Sequence, residues 1–578
     1  MTDVVTLLHG ATPAASTRWW KSAVIYQVYP RSFADSNGDG IGDLPGVVQH
    51  LDYLETLGVD AIWLSPVYSS PADDNGYDIS DYQSVDPAFG TLDDFDRLVT
   101  EAHARGMKIV MDLVVNHTSD EHPWFVDSAS SPTSTKRDWY WWRAPRDGFE
   151  GGQPGAEPNN WESFFSGSTW QYDPASGEYY LHLFSRKQPD LNWENVEVRA
   201  AVYSMMNWWL DRGVDGFRMD VINLISKRAD LPDGEIAPGH RFGDGFPYYS
   251  YGPRIHEFLQ EMHSAVFTGR VGDFVTVGEM PGVTVEQAQR FTDPSRHELD
   301  MVFQFEHVGL DHGDGGKFDS RPLDLRELKA SFQRWQDGLA SVGWNSLYWN
   351  NHDQPRAVSR FGNDDEYWSQ SAQALAAVLH LQRGTPYIFQ GEELGMTNVP
   401  FGDIAEIRDI ESLNYFAEAL QVPGTTADSV LSGIRRGGRD NARTPMQWTP
   451  GPQGGFTTGT PWIGVHANRA EINAASQVGV DGSIFEFYRT LIRMRHEDPV
   501  VSLGDFRMIA QEHSTLFAFE RRLGTAVILV VANFDVRPLR LDDLIDVDLR
   551  GRKLVLGNYP DSAPGAPLRP WEVRVLSS

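Results

Sequence analysis

Arg218 and Asp220 stand two residues apart in the apolar run GVDGFRMDVIN, residues 213 to 223. Side chains alternate along a strand, so this spacing puts both on one face. A guanidinium beside a carboxylate lowers the carboxylate's pKa and keeps it ionised at neutral pH, as a nucleophile requires and a general acid does not. An ordinary structural ion pair has the same spacing. Two further carboxylates sit at the ends of similar runs: Glu279 closes FVTVGEM, 274 to 280, and Asp353 lies in NSLYWNNHDQ, 345 to 354. The apolar approach to Glu279 predicts partial desolvation, which raises a carboxyl's pKa as an acid role needs. A different chemistry is suggested by DSNGDGIGD, 35 to 43, where Asp35, Asn37, Asp39 and Asp43 alternate with small residues. Loops of this kind wrap oxygen ligands around a hard cation such as calcium or magnesium, and an Asp/Gly-rich turn is the plainer alternative.

Carboxylates scattered over the chain work together only if a repeated scaffold brings strand ends to one place. Such a repeat is present: a helical pattern ends at a glycine, and a β-rich strand ending in polar residues follows. LDYLETLG leads to VDAIWLSP, TLDDFDRLVTEAHARG to MKIVMDLVVNH, and VRAAVYSMMNWWLDRG to VDGFRMDVIN. Glycine at the helix C′ position and Thr91 with Asp94 as an N-terminal cap pair support these boundaries. With VIYQVYP (24 to 30), FVTVGEM, DMVFQFE (300 to 306), NSLYWNNHDQ and PYIFQGEELG (386 to 395), the run of strands reaches the eight of a (β/α)8 barrel, or TIM barrel. Chemistry in that fold sits at the C-terminal ends of the strands, where Asp220, Glu279 and Asp353 fall. The catalytic barrel is expected over 1–116 and 189–499, closed by the helix 484–499. A small domain lodges after the third strand over 117–188, too long for a plain loop. An excursion over 394–482 follows the eighth strand, and a C-terminal antiparallel β-sandwich occupies 500–578.

The 578 residues exceed one compact core, and a net charge of −31 repels nucleic acid and anionic lipid. Absence of cysteine excludes disulfides, thiolate metal sites and Cys nucleophiles. The N-terminal twenty residues lack the basic and apolar regions of a secretion signal, and no apolar run reaches the ~20 residues of a membrane helix. We therefore expect a cytoplasmic protein acting on a neutral ligand, with no membrane or nucleic-acid partner, as a monomer or weak homo-oligomer.

The segments DLVVNH (112 to 117), GFRMD (216 to 220), VGEM (277 to 280) and NHDQPR (351 to 356), with QPDLNW (188 to 193), resemble in order the hallmark segments of the α-amylase family of glycoside hydrolases, family 13. The resemblance covers nearly the whole chain and is strongest to the oligo-1,6-glucosidase and α-glucosidase branch. It implies a retaining exo-hydrolysis of small oligosaccharides. Asp220 would be the nucleophile, Glu279 the acid that later activates water, and Asp353, with His352 and His117, would bind hydroxyls of the non-reducing glucose. DNGYD, 74 to 78, resembles the family's terminal-glucose clamp, with Asp74 accepting hydroxyl hydrogen bonds and Tyr77 stacking on the ring. GRDNARTPMQW, 438 to 448, would supply the arginine that pairs with Asp74: Arg439, with Arg443 as the alternative. Phe165, Phe184 and Gln188 would line the pocket from the lodged domain. The loop after the first strand matches the branch's metal loop, which implies Asp35, Asn37, Asp39, the Ile41 carbonyl and Asp43 around a structural calcium or magnesium. No organic cofactor is implied.

In this branch valine after the nucleophile goes with α-1,6 linkages and threonine or alanine with α-1,4, and this chain has Val221. Sucrose-isomerising relatives carry a charged RLDRD-like run where this chain reads SRFGND, 359 to 364, which favours hydrolysis. Three alternatives stand beside the α-1,6 reading, the first being a sucrose- or maltose-preferring α-glucosidase. Trehalose-6-phosphate hydrolases need a cationic phosphate subsite, which RRGGR at 435 to 439 leaves open; family members that are non-catalytic transporter partners carry a membrane helix and lack catalytic carboxylates.

Overall fold

The computed structural model describes residues 18–578 apart from 542, 543, 546 and 548. The first 17 residues, on which the reading of the N-terminus rests, lie outside the described part.

Eight parallel strands form one sheet: β1 (Ile25–Val28), β2 (Ala61–Leu64), β3 (Lys108–Leu113), β4 (Gly216–Met219), β5 (Val275–Glu279), β6 (Met301–Phe303), β7 (Ser346–Leu347) and β8 (Thr385–Phe389). The order is β6-β5-β4-β3-β2-β1-β8-β7, and a parallel bridge from Val302 to Asn345 brings β6 to β7 and closes the barrel. Strands β1, β2, β4, β5 and β8 are buried along their whole length, as strands covered on both faces by helices must be. The helices between them are α1 (Leu51–Leu57), α2 (Leu92–Ala104), α3 (Val196–Asp211), α4 (Ile255–Val266), α5 (Val285–Thr292), α6 (Leu325–Gly338) and α7 (Trp368–His380), and α8 (Ile484–Glu497) follows β8. Thr91 and Asp94 form a capping box at the start of α2, and Gly58 ends α1 at φ 96°, a left-handed conformation that favours glycine.

Several strands are shorter than their apolar runs suggest. The expected strand over 345–354 is only Ser346–Leu347. Beyond it the Asn351 side chain accepts the Asp353 N–H at 2.8 Å, a local turn that competes with ladder pairing and leaves Asp353 on a loop. After β8 the chain turns into a short helix over Glu392–Leu394 rather than extending to residue 395.

Within 117–188 a three-stranded antiparallel sheet (Trp142–Arg143, Glu178–Leu181, Trp170–Asp173) stands beside the catalytic face. The 394–482 excursion carries the helices Ile410–Ala419, Ala427–Gly437 and Asp440–Arg443. After α8 comes a five-stranded antiparallel sheet, ordered Asp505–Ile509, Leu516–Leu523, Ala526–Asn533, Val573–Ser577, Lys553–Gly557. Its alternation sends Phe517, Phe519, Ile528 and Val530 into the core shared with the barrel helices, and Leu516, Ala518, Leu529 and Val531 into a separate core with Leu541 and Leu568. The expected sandwich is thus one sheet, covered by the barrel on one face and by its own later segments on the other. Among the described residues no helix is long and apolar enough to cross a membrane.

Candidate active site

Strand register assembles the charged centre. Arg218 on β4 is level with Asp112 on β3 and with Val277 on β5, so Asp220 and Glu279, each two residues further on, emerge together at the C-terminal end. The Arg218 guanidinium is buried and divided among three carboxylates: Nη1 lies 2.7 Å from Asp112 Oδ1 and 2.6 Å from Asp220 Oδ1, and Nη2 lies 2.6 Å from Glu279 Oε1. Trp63 Nε1 and Tyr77 Oη also donate to Asp112, at 3.1 and 2.9 Å, which fixes Asp112 and, through it, Arg218.

The sharing corrects one expectation. Arg218 does pull the Asp220 carboxyl down, yet burial outweighs it and Asp220 ends well above the ordinary carboxylate range. Burial also raises Asp112 and Glu279 against the same guanidinium. One cation cannot offset three desolvated carboxylates, so the cluster favours keeping a proton and titrates as a unit. For Glu279 the direction is the one its apolar approach predicts.

Val221 adopts φ 34°, ψ 42°, a left-handed conformation that is unfavourable for a β-branched residue. The turn aims the Val221 N–H at Glu279 Oε2, 3.1 Å away, so the residue after Asp220 also orients the acid candidate. Its side chain packs in an apolar cluster with Leu224, Trp161 and Tyr249.

A second charged group closes one end of the site. Arg439 Nη2 reaches Asp74 Oδ1 at 3.1 Å and Asp409 Oδ1 at 2.6 Å, while Arg443 Nη2 reaches Asp353 Oδ1 at 2.7 Å. Of the two arginines, Arg439 is therefore the partner of Asp74. Burial would raise Asp353, but His352, Arg439 and Arg443 hold it well below the usual range; Asp409 behaves likewise under Arg439 and Arg443. Burial pushes Asp74 up to about 7 despite Arg439, whose charge is shared with Asp353, Asp409 and Glu411.

His352 lies between the groups. Gln27 Nε2 donates to His352 Nδ1 at 2.8 Å, which leaves the proton on Nε2, 3.3 Å from Asp353 Oδ2. The Tyr77 ring stacks on His352 with centroids 5.1 Å apart. Gln188 Nε2 contacts both Asp74 Oδ2 and His117 Nε2 at 3.2 Å. Burial lowers His117 to about 4 and His352 to about 3, so both are neutral near pH 7. The guanidinium of Arg439 sits 4.8 Å from the Phe165 ring centroid, and Phe184 lies 5.2 Å from His117.

The structure thus brings together Asp74, Tyr77, His117, Phe165, Phe184, Gln188, Arg218, Asp220, Val221, Glu279, His352, Asp353 and Arg439. Sequence reasoning missed Asp112, although it begins DLVVNH, a polar residue inside an apolar strand. It also missed Asp409, in a segment without periodicity, and Phe164, which stacks on Phe184 at 4.9 Å and is 39% exposed. The buried ion pair of Lys227 with Asp190 (2.8 Å) was missed as well; Lys227 also donates to Asn116 Oδ1 at 3.0 Å, next to His117.

Away from this centre, the loop after β1 is closed by its own side chains. Asp35 accepts the N–H groups of Asn37, Gly38 and Gly40, Asn37 that of Asp39, and Asp39 that of Ile41. Asp43 caps the helix Leu44–Gln49 through the Gly46 N–H and accepts from Ser36. Among the described residues no group of three or more acidic or histidine side chains converges as a metal cluster. The donors are oxygen only, which suits a hard cation by type. Hydrogen bonds from Asp35 N to Phe456 O and from Trp462 N to Gly40 O, at 2.9 and 3.0 Å, join the loop to the excursion.

Comparison with known proteins agrees with this geometry. The family model described as alpha amylase, catalytic domain, matches residues 27–504. An oligo-1,6-glucosidase of Halalkalibacterium halodurans is 54% identical over 564 residues, covering 97% of this chain and 99% of that protein. A trehalose-6-phosphate hydrolase of Bacillus subtilis is 50% identical over 519 residues, 90% of each. The crystal structure of a Bacillus licheniformis trehalose-6-phosphate hydrolase mutant superposes with a TM-score of 0.90 at 44% identity, covering 97% of this chain and all of that one.

Proposed function

Because the chain belongs to the α-amylase family of glycoside hydrolases and is therefore an enzyme of that class, we propose that it is an exo-acting α-glucosidase that releases glucose from short α-1,6-linked glucosides. The observation that carries this reading is the buried ion pair between Asp74 and Arg439. It joins the segment after β2 to the excursion after β8, across one end of the site, so a polysaccharide cannot thread through and a chain end must enter. Asp220 attacks the anomeric carbon, and Glu279 protonates the leaving oxygen and then takes a proton from water, so the product retains its configuration. Asp353 and His352 hold the hydroxyls of the terminal glucose as its ring flattens, with Asp74, Gln188 and His117 around the far side. Arg218 supports the ionised nucleophile, and the Val221 N–H keeps Glu279 in place. The oligo-1,6-glucosidase relatives, acting on the linkage their name states, support the α-1,6 reading. The acidic surface and absence of cysteine suit work in the cytoplasm as a monomer or weak homo-oligomer.

The test is glucose release from isomaltose, panose, maltose, sucrose, trehalose 6-phosphate and starch. Isomaltose with the highest kcat/KM supports the reading, and starch or maltose ahead of it refutes the linkage assignment. Val221 refines it: threonine has nearly valine's shape but adds a hydroxyl beside the reacting centre. Val221→Thr should raise the maltose-to-isomaltose ratio of kcat/KM about ten-fold, ~1.4 kcal/mol of differential transition-state binding. An unchanged ratio would move linkage selection to the lodged segment or the excursion.

A second reading, hydrolysis of trehalose 6-phosphate, has one observation in its favour. A cavity of about 150 Å3 beside Gln354 is lined by Lys317, Arg321, Arg360 and Arg436. Three of these cations are neutralised, by Glu411, Glu327 and Asp311, which leaves Arg436 as the one without an ion-pair partner among the described residues. A single exposed arginine is a thin phosphate subsite, so the neutral substrate is favoured.

We also assign a structural calcium or magnesium to the loop after β1, held by Asp35, Asn37, Asp39, the Ile41 carbonyl and Asp43. The support is its oxygen-only donor set, and bound there the cation would brace the loop against the excursion. Chelator should lower the Tm, since an ion at a hundred times its Kd contributes about 2.7 kcal/mol. A Tm indifferent to chelator and to added calcium or magnesium would remove the cation from the account.

A further inference from the structure

A cavity of about 740 Å3 opens within the segment lodged after β3, and none of the catalytic carboxylates lines it. Its size is that of a small-ligand site. Aromatic side chains from several parts of the segment face it: Phe149, Trp170, Tyr172, Tyr179 and, from a later loop, Phe242. Glycines let the chain close on Tyr172, for a Cβ at Gly151 would stand 2.4 Å from the ring and one at Gly152 2.9 Å. The Gly152 N–H donates to Tyr179 Oη at 2.8 Å, and among the described residues the Tyr179 hydroxyl proton has no acceptor. The Gln153 side-chain amide and the Arg241 guanidinium, from two further residues of the lining, make no hydrogen bond with the described residues.

Charge narrows the ligand. Arg146 is paired with Asp233 through two contacts, at 3.0 and 2.6 Å, and Glu157 and Arg241, which form no ion pair among the described residues, complete the four charged side chains of the lining, whose formal charges sum to zero. Neither an anion nor a cation is selected. Aromatic faces interleaved with unused neutral donors and acceptors suit a ligand with apolar CH faces and many hydroxyls.

We propose that this cavity is a non-catalytic saccharide site that holds a stretch of α-glucan remote from the bond being cleaved. The proposal rests on the α-glucosidase reading for its ligand class. The cavity is joined to the reaction centre by packing: Trp170, Tyr172 and Tyr179 share one apolar cluster with Phe184 and Val221. Bound there, a long chain would stay on the enzyme between cleavages, whereas a disaccharide would gain nothing.

Electrophoresis through gels containing dextran, an α-1,6 glucan, tests it, with isomaltose hydrolysis measured on the same preparations. Dextran should retard the wild-type protein, and Tyr172→Ala and Arg241→Gln should each weaken that apparent affinity about five-fold. Both variants should keep the wild-type kcat/KM on isomaltose and lose it on long isomalto-oligosaccharides. Arg241 is exposed, so its variant keeps the test valid if loss of Tyr172 disturbs the glycine loop. Retardation of both variants equal to wild type, or no retardation of a wild-type protein that cleaves isomaltose, overturns the proposal. Failure to cleave isomaltose would instead overturn the α-glucosidase reading beneath it.

Discussion

Asp220→Asn should lower kcat on isomaltose on the order of 10⁴-fold or more and leave the fold intact. The amide has the carboxylate's volume but cannot form the glucosyl ester, so the loss falls on kcat while substrate is still bound by Asp74, His117, Gln188 and Asp353. Stability should not fall with activity. Asp220 is buried and its carboxyl is pushed well above the ordinary range, so the native state holds it at a cost that a neutral amide lacks. Urea denaturation at pH 7 measures that half, with a midpoint at or above wild type expected. Substantial residual kcat would move the nucleophile's role to another carboxylate of the cluster.

Arg218→Met should damage both stability and turnover. Among the described residues Arg218 is the one cation within 4.0 Å of Asp112, Asp220 and Glu279, and its guanidinium also lies 5.0 Å from the Trp63 ring centroid. Removing one partner from a buried charged group costs about 3–5 kcal/mol. Protonation of the stranded carboxyls relieves part of this, so the loss should grow as pH rises, and urea midpoints at pH 5 and pH 8 would show it. Catalysis should shift in a defined direction. Loss of a positive charge raises the pKa of Asp220, ionisation then requires a higher pH, and the acid limb of the kcat/KM profile moves upward. An unmoved acid limb would mean that Arg218 acts only by packing.

These expectations concern charges that the linear sequence displays only in part. Arg218 and Asp220 are legible as a pair because strand alternation is a local rule. That the guanidinium also serves Asp112 and Glu279 depends on which strands become neighbours, and no local rule states that. The barrel was legible for the same reason as the pair: glycine after the first three helices, at 58, 106 and 213, and an apolar run after each are local signals, and Gly58 and the Thr91–Asp94 cap stand where they place them. Strand ends were read too long at 345–354 because apolar residues continue past the last ladder pair while the Asn351 turn redirects the chain. Asp409 had no signal: it comes from a segment without periodicity and acquires meaning only through Arg439 and Arg443, 2.6 and 3.5 Å away. Arg439 was the sequence choice for the partner of Asp74, with Arg443 left as the alternative because both lie in one short motif, and the fold separates them by placing Arg439 on Asp74 and Arg443 on Asp353. The strained turn at Val221 was also hidden, because valine carries no mark of a left-handed backbone.

The central claim is that Asp220 and Glu279 act as nucleophile and acid/base on an α-glucoside, and proton NMR of the first glucose released from an aryl α-glucoside, whose leaving group is a phenol and not a second sugar, tests it most directly. At early times, before mutarotation, the account predicts α-glucose as the sole new anomer, formed through two displacements at one carbon. β-Glucose appearing first would mean direct attack by water and would contradict the account at its centre.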